Sequence, residues 1–221
     1  MTIDFLLKYG SRIIILFMCI PVHEFAHAWA ANKMGDDTPL YQGRLTLNPL
    51  AHLDPVGSLG ILLCGFGWGK PVQVNPLRFK KYRAGMAITA AAGPLSNIIM
   101  AFIATIVYKF LIGAASSNYN EALGWLSLIS WYFIMINIGL AVFNLIPVYP
   151  LDGQKIFSYF TSDKFNAWIS QYQFYLTIVV IGLLTFSDVL DGPMRWFQSG
   201  IFWLMDKLTF WVDPIVNAVF R

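Results

Sequence analysis

Residues 13–31 read IIILFMCIPVHEFAHAWAA, apolar throughout except for His23, Glu24 and His27. A bilayer core is crossed by about 20 consecutive apolar residues as helix, so this stretch reaches the required length only by carrying three ionisable side chains into it. Such residues are costly inside a span and by default mark a site. The run lacks a small-residue cleavage site and is polar where a signal peptide is purely apolar, so it is expected to be a retained span.

Working outward, three further windows carry no charge at all: Met86–Tyr108, Trp125–Val148 and Asn166–Ser187. The composition agrees, with 57% hydrophobic and only 12% charged residues in 221 and a mean hydropathy of +0.59. Soluble domains carry roughly 25% charged residues, so an ordinary cytosolic enzyme, a disordered tail and a nucleic-acid-binding domain are excluded. Cys19 and Cys64 both lie in apolar runs and make no disulfide framework. The fold class is an all-α polytopic membrane protein. It has a three-helix core (about 13–31, 86–108 and 125–148), a further span at 166–187, and a C-terminal segment, 188–221. Residues 1–187 make the membrane-embedded domain.

Two segments are less regular. Val56–Gly69 (VGSLGILLCGFGWG) is too short and glycine-rich to cross, and is expected to be a re-entrant or membrane-surface loop with some strand character. In Gly200–Phe220, apolar residues recur at helical spacing while Asp206, Thr209, Asp213 and Asn217 gather on another face. An interfacial amphipathic helix bent near Pro214 is expected, with a fifth span as the alternative.

Orientation follows from basic residues. Lys33, Arg44, Lys70, Arg78, Lys80, Lys81 and Arg83 lie between the first two spans and outnumber Lys8 and Arg12 before them. Residues 23–83 and 149–165 are therefore expected on the cytoplasmic side.

His23 and His27 in H-E-F-A-H stand one helical turn apart and can share a metal, while Glu24 beside them can take a proton from metal-bound water. Catalytic zinc takes three protein ligands and leaves one position for water. Asp152 is the expected third ligand. Pro147 and Pro150 break the third span just before it, Gly153 permits the turn, and the topology puts it on the side of the histidines. One zinc per chain is implied. Asn144, near that turn, is a candidate for holding substrate backbone or oxyanion. His52 is a candidate for substrate positioning or ligand support. Cys19, four residues before His23, is read as a small buried residue rather than a ligand. The run Arg78–Arg83 is read as setting topology and touching anionic lipid.

H-E-F-A-H in one span and F-N-L-I-P-V-Y-P-L-D-G (residues 143–153) closing another resemble the site-2 protease family of intramembrane zinc metalloproteases. G-R-L-T-L-N-P-L-A-H-L-D-P (43–55), G-W-G-K-P-V-Q-V-N-P (67–76) and A-G-P-L-S-N (92–97) resemble its compact prokaryotic branch, without PDZ or CBS domain, although Gln73 and Tyr149 stand where proline is common. The resemblance covers roughly residues 13–160. It implies zinc on His23, His27 and Asp152, Glu24 as general base, a transmembrane protein substrate and a multi-pass location in the plasma (inner) membrane. Substrate helices hide their peptide bonds, so Gly, Pro or Asn near the cut is expected. An inactive metal-binding scaffold on the same fold is the alternative. A zincin with a downstream glutamate ligand is disfavoured because Glu121 falls on the other side of the membrane. A transporter is disfavoured because the spans are nearly bare of ionisable groups. Oligomeric state and substrate identity are not legible.

Overall fold

The computed structural model describes residues 3–65, 67–118 and 120–220. Three helices are long and apolar enough to cross a membrane: Leu7–Lys33, Tyr82–Ser117 and Glu121–Asn144. The first is built from α1 (Ile3–Ile14), a widened π turn (Ile15–Cys19) and α2 (Ile20–Lys33). Pro21, at the start of α2, has no N–H to give the preceding turn, and the ladder widens there.

After the short α3 (Thr38–Tyr41), α4 (Pro55–Cys64) occupies much of the segment expected to have strand character. Asp54 caps it by accepting Gly57 N–H at 2.8 Å, and Gly65 ends it in a left-handed conformation at φ 81°. Extended backbone is limited to the return, where Leu53 and Gly69 form a single antiparallel bridge. Helix and return pack tightly because Gly57 and Gly67 have no side chains. A Cβ on Gly57 would lie 2.1 Å from the Trp68 carbonyl oxygen, and one on Gly67 would lie 2.0 Å from that of Gly57.

α5 (Tyr82–Ser117) and α6 (Glu121–Asn144) form the centre of the bundle. α5 runs unbroken through Pro94 and past the expected end at Tyr108. Its small residues Ala90, Ala101 and Ala104 let α2 and α6 approach, and Ile134, Ile138 and Val142 of α6 fill the buried core with Met205. α7 (Asp152–Phe160) packs on α5, and α8 (Asp163–Phe186) is a helix over the stretch where a fourth span is expected, though it is not one of the three crossing-length apolar helices.

The C-terminal segment forms α9 (Asp191–Leu208) and α10 (Val212–Phe220). The chain breaks at Thr209–Trp211 rather than at Pro214, which sits in the first turn of α10, where proline costs nothing. Of the polar face expected there, Thr209 is buried while Asp213 and Asn217 are exposed. Lys109 of α5 pairs with Asp206 and Asp213, each at 3.0 Å.

Candidate metal centre

α2 carries His23, Glu24 and His27, and α7 brings Asp152 in its first turn. Asp152 reaches them because the chain leaves α6 at Leu145 and folds sharply back. At Gly153 a Cβ would lie 2.3 Å from the Leu145 carbonyl oxygen, so only glycine permits this turn. The His23 and His27 Nε2 atoms are 3.0 Å apart, and Asp152 Oδ2 lies 3.2 Å and 3.1 Å from them. Among the described residues these three make the one histidine, cysteine and carboxylate group that can hold a metal.

Each imidazole is fixed from behind. His23 Nδ1 lies 2.7 Å from Asn97 Oδ1, and His27 Nδ1 lies 2.7 Å from the Thr89 carbonyl oxygen. A ring that donates from Nδ1 has its lone pair on Nε2. Two nitrogen lone pairs and a carboxylate oxygen thus converge on one point, a donor set that suits a divalent cation. Tetrahedral donors at about 2.0–2.1 Å from zinc stand about 3.3 Å apart, close to the separations seen.

Glu24 is held beside the ligands by the return strand, through a 3.0 Å hydrogen bond from Val72 N–H to its Oε2. Buried Arg44 sets that strand by donating to the carbonyls of Ala51, Lys70 and Pro71. His23, Glu24, His27 and Asp152 line one cavity of about 720 Å³, with Asn144 and Lys155 on its wall.

The model of peptidase family M50 matches residues 111–185, the part of the chain that contains Asp152. Over 144 residues, 65% of this chain and 66% of the relative, the sequence is 42% identical to "Putative zinc metalloprotease YwhC" of Bacillus subtilis. The chain belongs to peptidase family M50. "Putative zinc metalloprotease Rip2" of Mycolicibacterium smegmatis is 30% identical over 143 residues, 62% of this chain and 51% of the relative. Rip2 of Mycobacterium tuberculosis is 29% identical over 145 residues, 63% and 52% of the respective lengths. The chain therefore spans about half to two thirds of these curated relatives. No solved structure matches it.

Of the residues singled out in this M50 sequence, His23, Glu24, His27, Asp152 and Asn144 come together at the cavity. His52 stands apart, its imidazole fully buried and its Nε2 2.7 Å from the Thr46 carbonyl oxygen. Its backbone carbonyl accepts Lys70 N–H at 2.8 Å and so supports the return strand. Cys19 is fully buried beside Asn137.

Sequence reasoning missed several supports. Asn97 takes its own orientation from Asn137, donating to Asn137 Oδ1 at 2.9 Å, and both side chains are fully buried. Gly93 matters as a void. A Cβ there would lie 2.4 Å from His27 Nε2 and 2.6 Å from His23 Cε1, so the two rings rest on bare α5 backbone. Asparagine inside an apolar span was the available signal for Asn97 and Asn137. Val72 acts through its N–H and has no such signal.

Proposed function

We propose that this M50 chain is an intramembrane zinc endopeptidase that hydrolyses peptide bonds in or near transmembrane segments of other proteins. One observation carries the reading: three converging ligand atoms and a carboxylate fixed beside them line one cavity within a bundle of apolar helices. His23, His27 and Asp152 hold the metal. Zinc, when bound, supplies a Lewis acid that acidifies water and polarises a carbonyl. Glu24 takes the proton of the attacking water and returns it to the leaving amine, the general acid–base role. The Val72 N–H holds Glu24 Oε2 against the return strand and so fixes the carboxylate beside the two histidines. Asn144 Nδ2 donates to its own helix at the Leu140 carbonyl, 2.9 Å away. Its remaining N–H and its carbonyl are free to meet a substrate backbone or a developing oxyanion.

The excess of basic residues in the loop between the first two spans supports a cavity that opens toward the cytoplasmic face of the plasma membrane. A substrate segment must unwind locally to present its backbone, which favours cleavage near Gly, Pro or Asn.

The test has two arms. Zinc per chain in detergent-purified protein is expected to be one in wild type and markedly lower in Asp152→Ala. Cleavage of a co-expressed membrane reporter is expected to vanish in Glu24→Gln while its zinc content stays at the wild-type level. Equal zinc in wild type and Asp152→Ala removes Asp152 from the site. Continued cleavage by Glu24→Gln removes the assigned base. Full zinc with no cleavage of any membrane reporter by wild type favours the scaffold reading.

A further inference from the structure

The segment between Val74 and Tyr82 takes no part in the chemistry above, yet its conformation is fixed at both ends. Asn75 N–H donates to the buried Asp36 carboxylate at 2.6 Å, and Asn75 Oδ1 accepts Leu77 N–H at 3.1 Å, starting the 3₁₀ turn Pro76–Arg78. Phe79 is buried against the first turn of α5, where a Cβ on Gly85 would lie 2.4 Å from its ring. With Asn75 and Phe79 turned in, their neighbours turn out. Leu77 is 89% exposed, and Arg78, Lys80 and Lys81 are exposed beside it. Among the described residues none of these three cations pairs with a carboxylate. Arg83, the next cation, is paired with Asp163.

Depth decides what this patch meets. The charge-free part of α5 begins at Met86, one turn beyond Tyr82, so residues 77–82 stand at the headgroup level of the bilayer that α5 is long and apolar enough to cross. We propose that Leu77, Arg78, Lys80 and Lys81 form a docking surface for anionic phospholipid headgroups. The cations meet phosphate while Leu77 reaches the acyl boundary, and exposed Tyr82 lies at the level where aromatic anchors concentrate. An acidic partner protein would satisfy the charges but leave a bare leucine at bilayer depth, so lipid is the better match. Docking bears on the return strand, because Val72, five residues before Leu77, holds Glu24. That last consequence rests on the proposed function; the docking itself does not.

The experiment compares full-length wild type with Arg78→Gln/Lys80→Gln/Lys81→Gln in nanodiscs of phosphatidylcholine, with and without phosphatidylglycerol. Hydrogen exchange over residues 75–83 is expected to slow several-fold with phosphatidylglycerol in wild type and to be indifferent to it in the variant. Native mass spectrometry is expected to find wild type retaining phosphatidylglycerol over phosphatidylcholine, and the variant without preference. Unchanged exchange over α6 checks that the variant is folded. Wild-type exchange blind to phosphatidylglycerol, or equal lipid preference in the variant, overturns the proposal. So does slowing by an acidic juxtamembrane peptide in pure phosphatidylcholine with none from phosphatidylglycerol, which would assign the surface to a protein partner. None of these readouts depends on proteolysis.

Discussion

Asn97 and Gly93 shape the metal centre from opposite requirements, one by what it offers and the other by what it lacks. Asn97 Oδ1 fixes the His23 ring, and the amide that orients it is itself held by Asn137. Losing such a support typically weakens a metal site about 10–100-fold. Asn97→Leu is therefore expected to lower zinc affinity by roughly that factor, read by chelator competition, while Asn97→Asp keeps an acceptor and most of the affinity. Gly93→Ala is expected to be harsher, because the new methyl occupies the space of both imidazoles. Zinc content near zero in folded protein is the expected result, and a normal content would mean that α5 can shift aside. The convergence of His23, His27 and Asp152 was legible because H-E-x-x-H is local in sequence and two prolines announce the break before Asp152. Asn137 and Val72 were not. Their roles exist only once α5, α6 and the return strand are stacked against α2, and a backbone N–H leaves no trace in residue type.

Among the elements, α4 poses the sharpest physical problem. It runs alongside α1 and ends beside Arg12, inside the first apolar helix, where its last carbonyls have little water to turn to. Arg12 answers by donating to the Leu62 and Leu63 carbonyls at 2.5 and 3.0 Å. Gly65 ends the helix at φ 81°, a left-handed conformation that favours glycine, with the guanidinium close beside it. In the sequence Arg12 counted only as a basic residue opposing the assigned topology; in the fold it caps the end of α4. Val56–Gly69 forms a helix of only ten residues, Pro55–Cys64, before its return. Its glycines counted against crossing, and in the fold they press helix and return together. Arg12→Met leaves the Leu62 and Leu63 carbonyls, one half-buried and one at the protein surface, without this donor inside an apolar segment, a cost of about 1–3 kcal/mol. The end of α4 is then expected to fray, and exposed Cys64 reports it directly. Maleimide labelling of Cys64 is expected to quicken in Arg12→Met while buried Cys19 stays unreactive. Unchanged labelling would show that the Gly57–Trp68 packing holds α4 unaided.

At the scale of the molecule, the metal centre and the C-terminal helices use the same long helix at separate depths. Lys109 follows Gly93 by 16 residues, about 24 Å along α5, and it gathers Asp206 and Asp213 from the two sides of the Thr209 turn. Apolar packing accompanies it. Val216 of α10 fills the place left by Gly113, and Met205 of α9 joins the core. The amphipathic pattern of residues 200–220 was legible, but not its partner, because the cation lies a hundred residues upstream and just past the end of an apolar window. Lys109→Met leaves two carboxylates facing each other across a groove. Both are about half exposed, so water offsets much of the loss and on the order of 1–3 kcal/mol is expected. That is enough to loosen α9 and α10 without unfolding the bundle. Limited proteolysis is expected to cut Lys109→Met faster within residues 187–212, with zinc content unchanged because the metal centre is remote. Asp206→Asn/Asp213→Asn on the same background removes the repulsion and is expected to restore protection. If Lys109→Met is cut no faster than wild type, apolar packing alone docks the tail. If the triple variant stays labile, the cation acts through its hydrogen bonds to the Asp206 and Thr209 carbonyls, each at 3.4 Å, which the asparagines cannot replace.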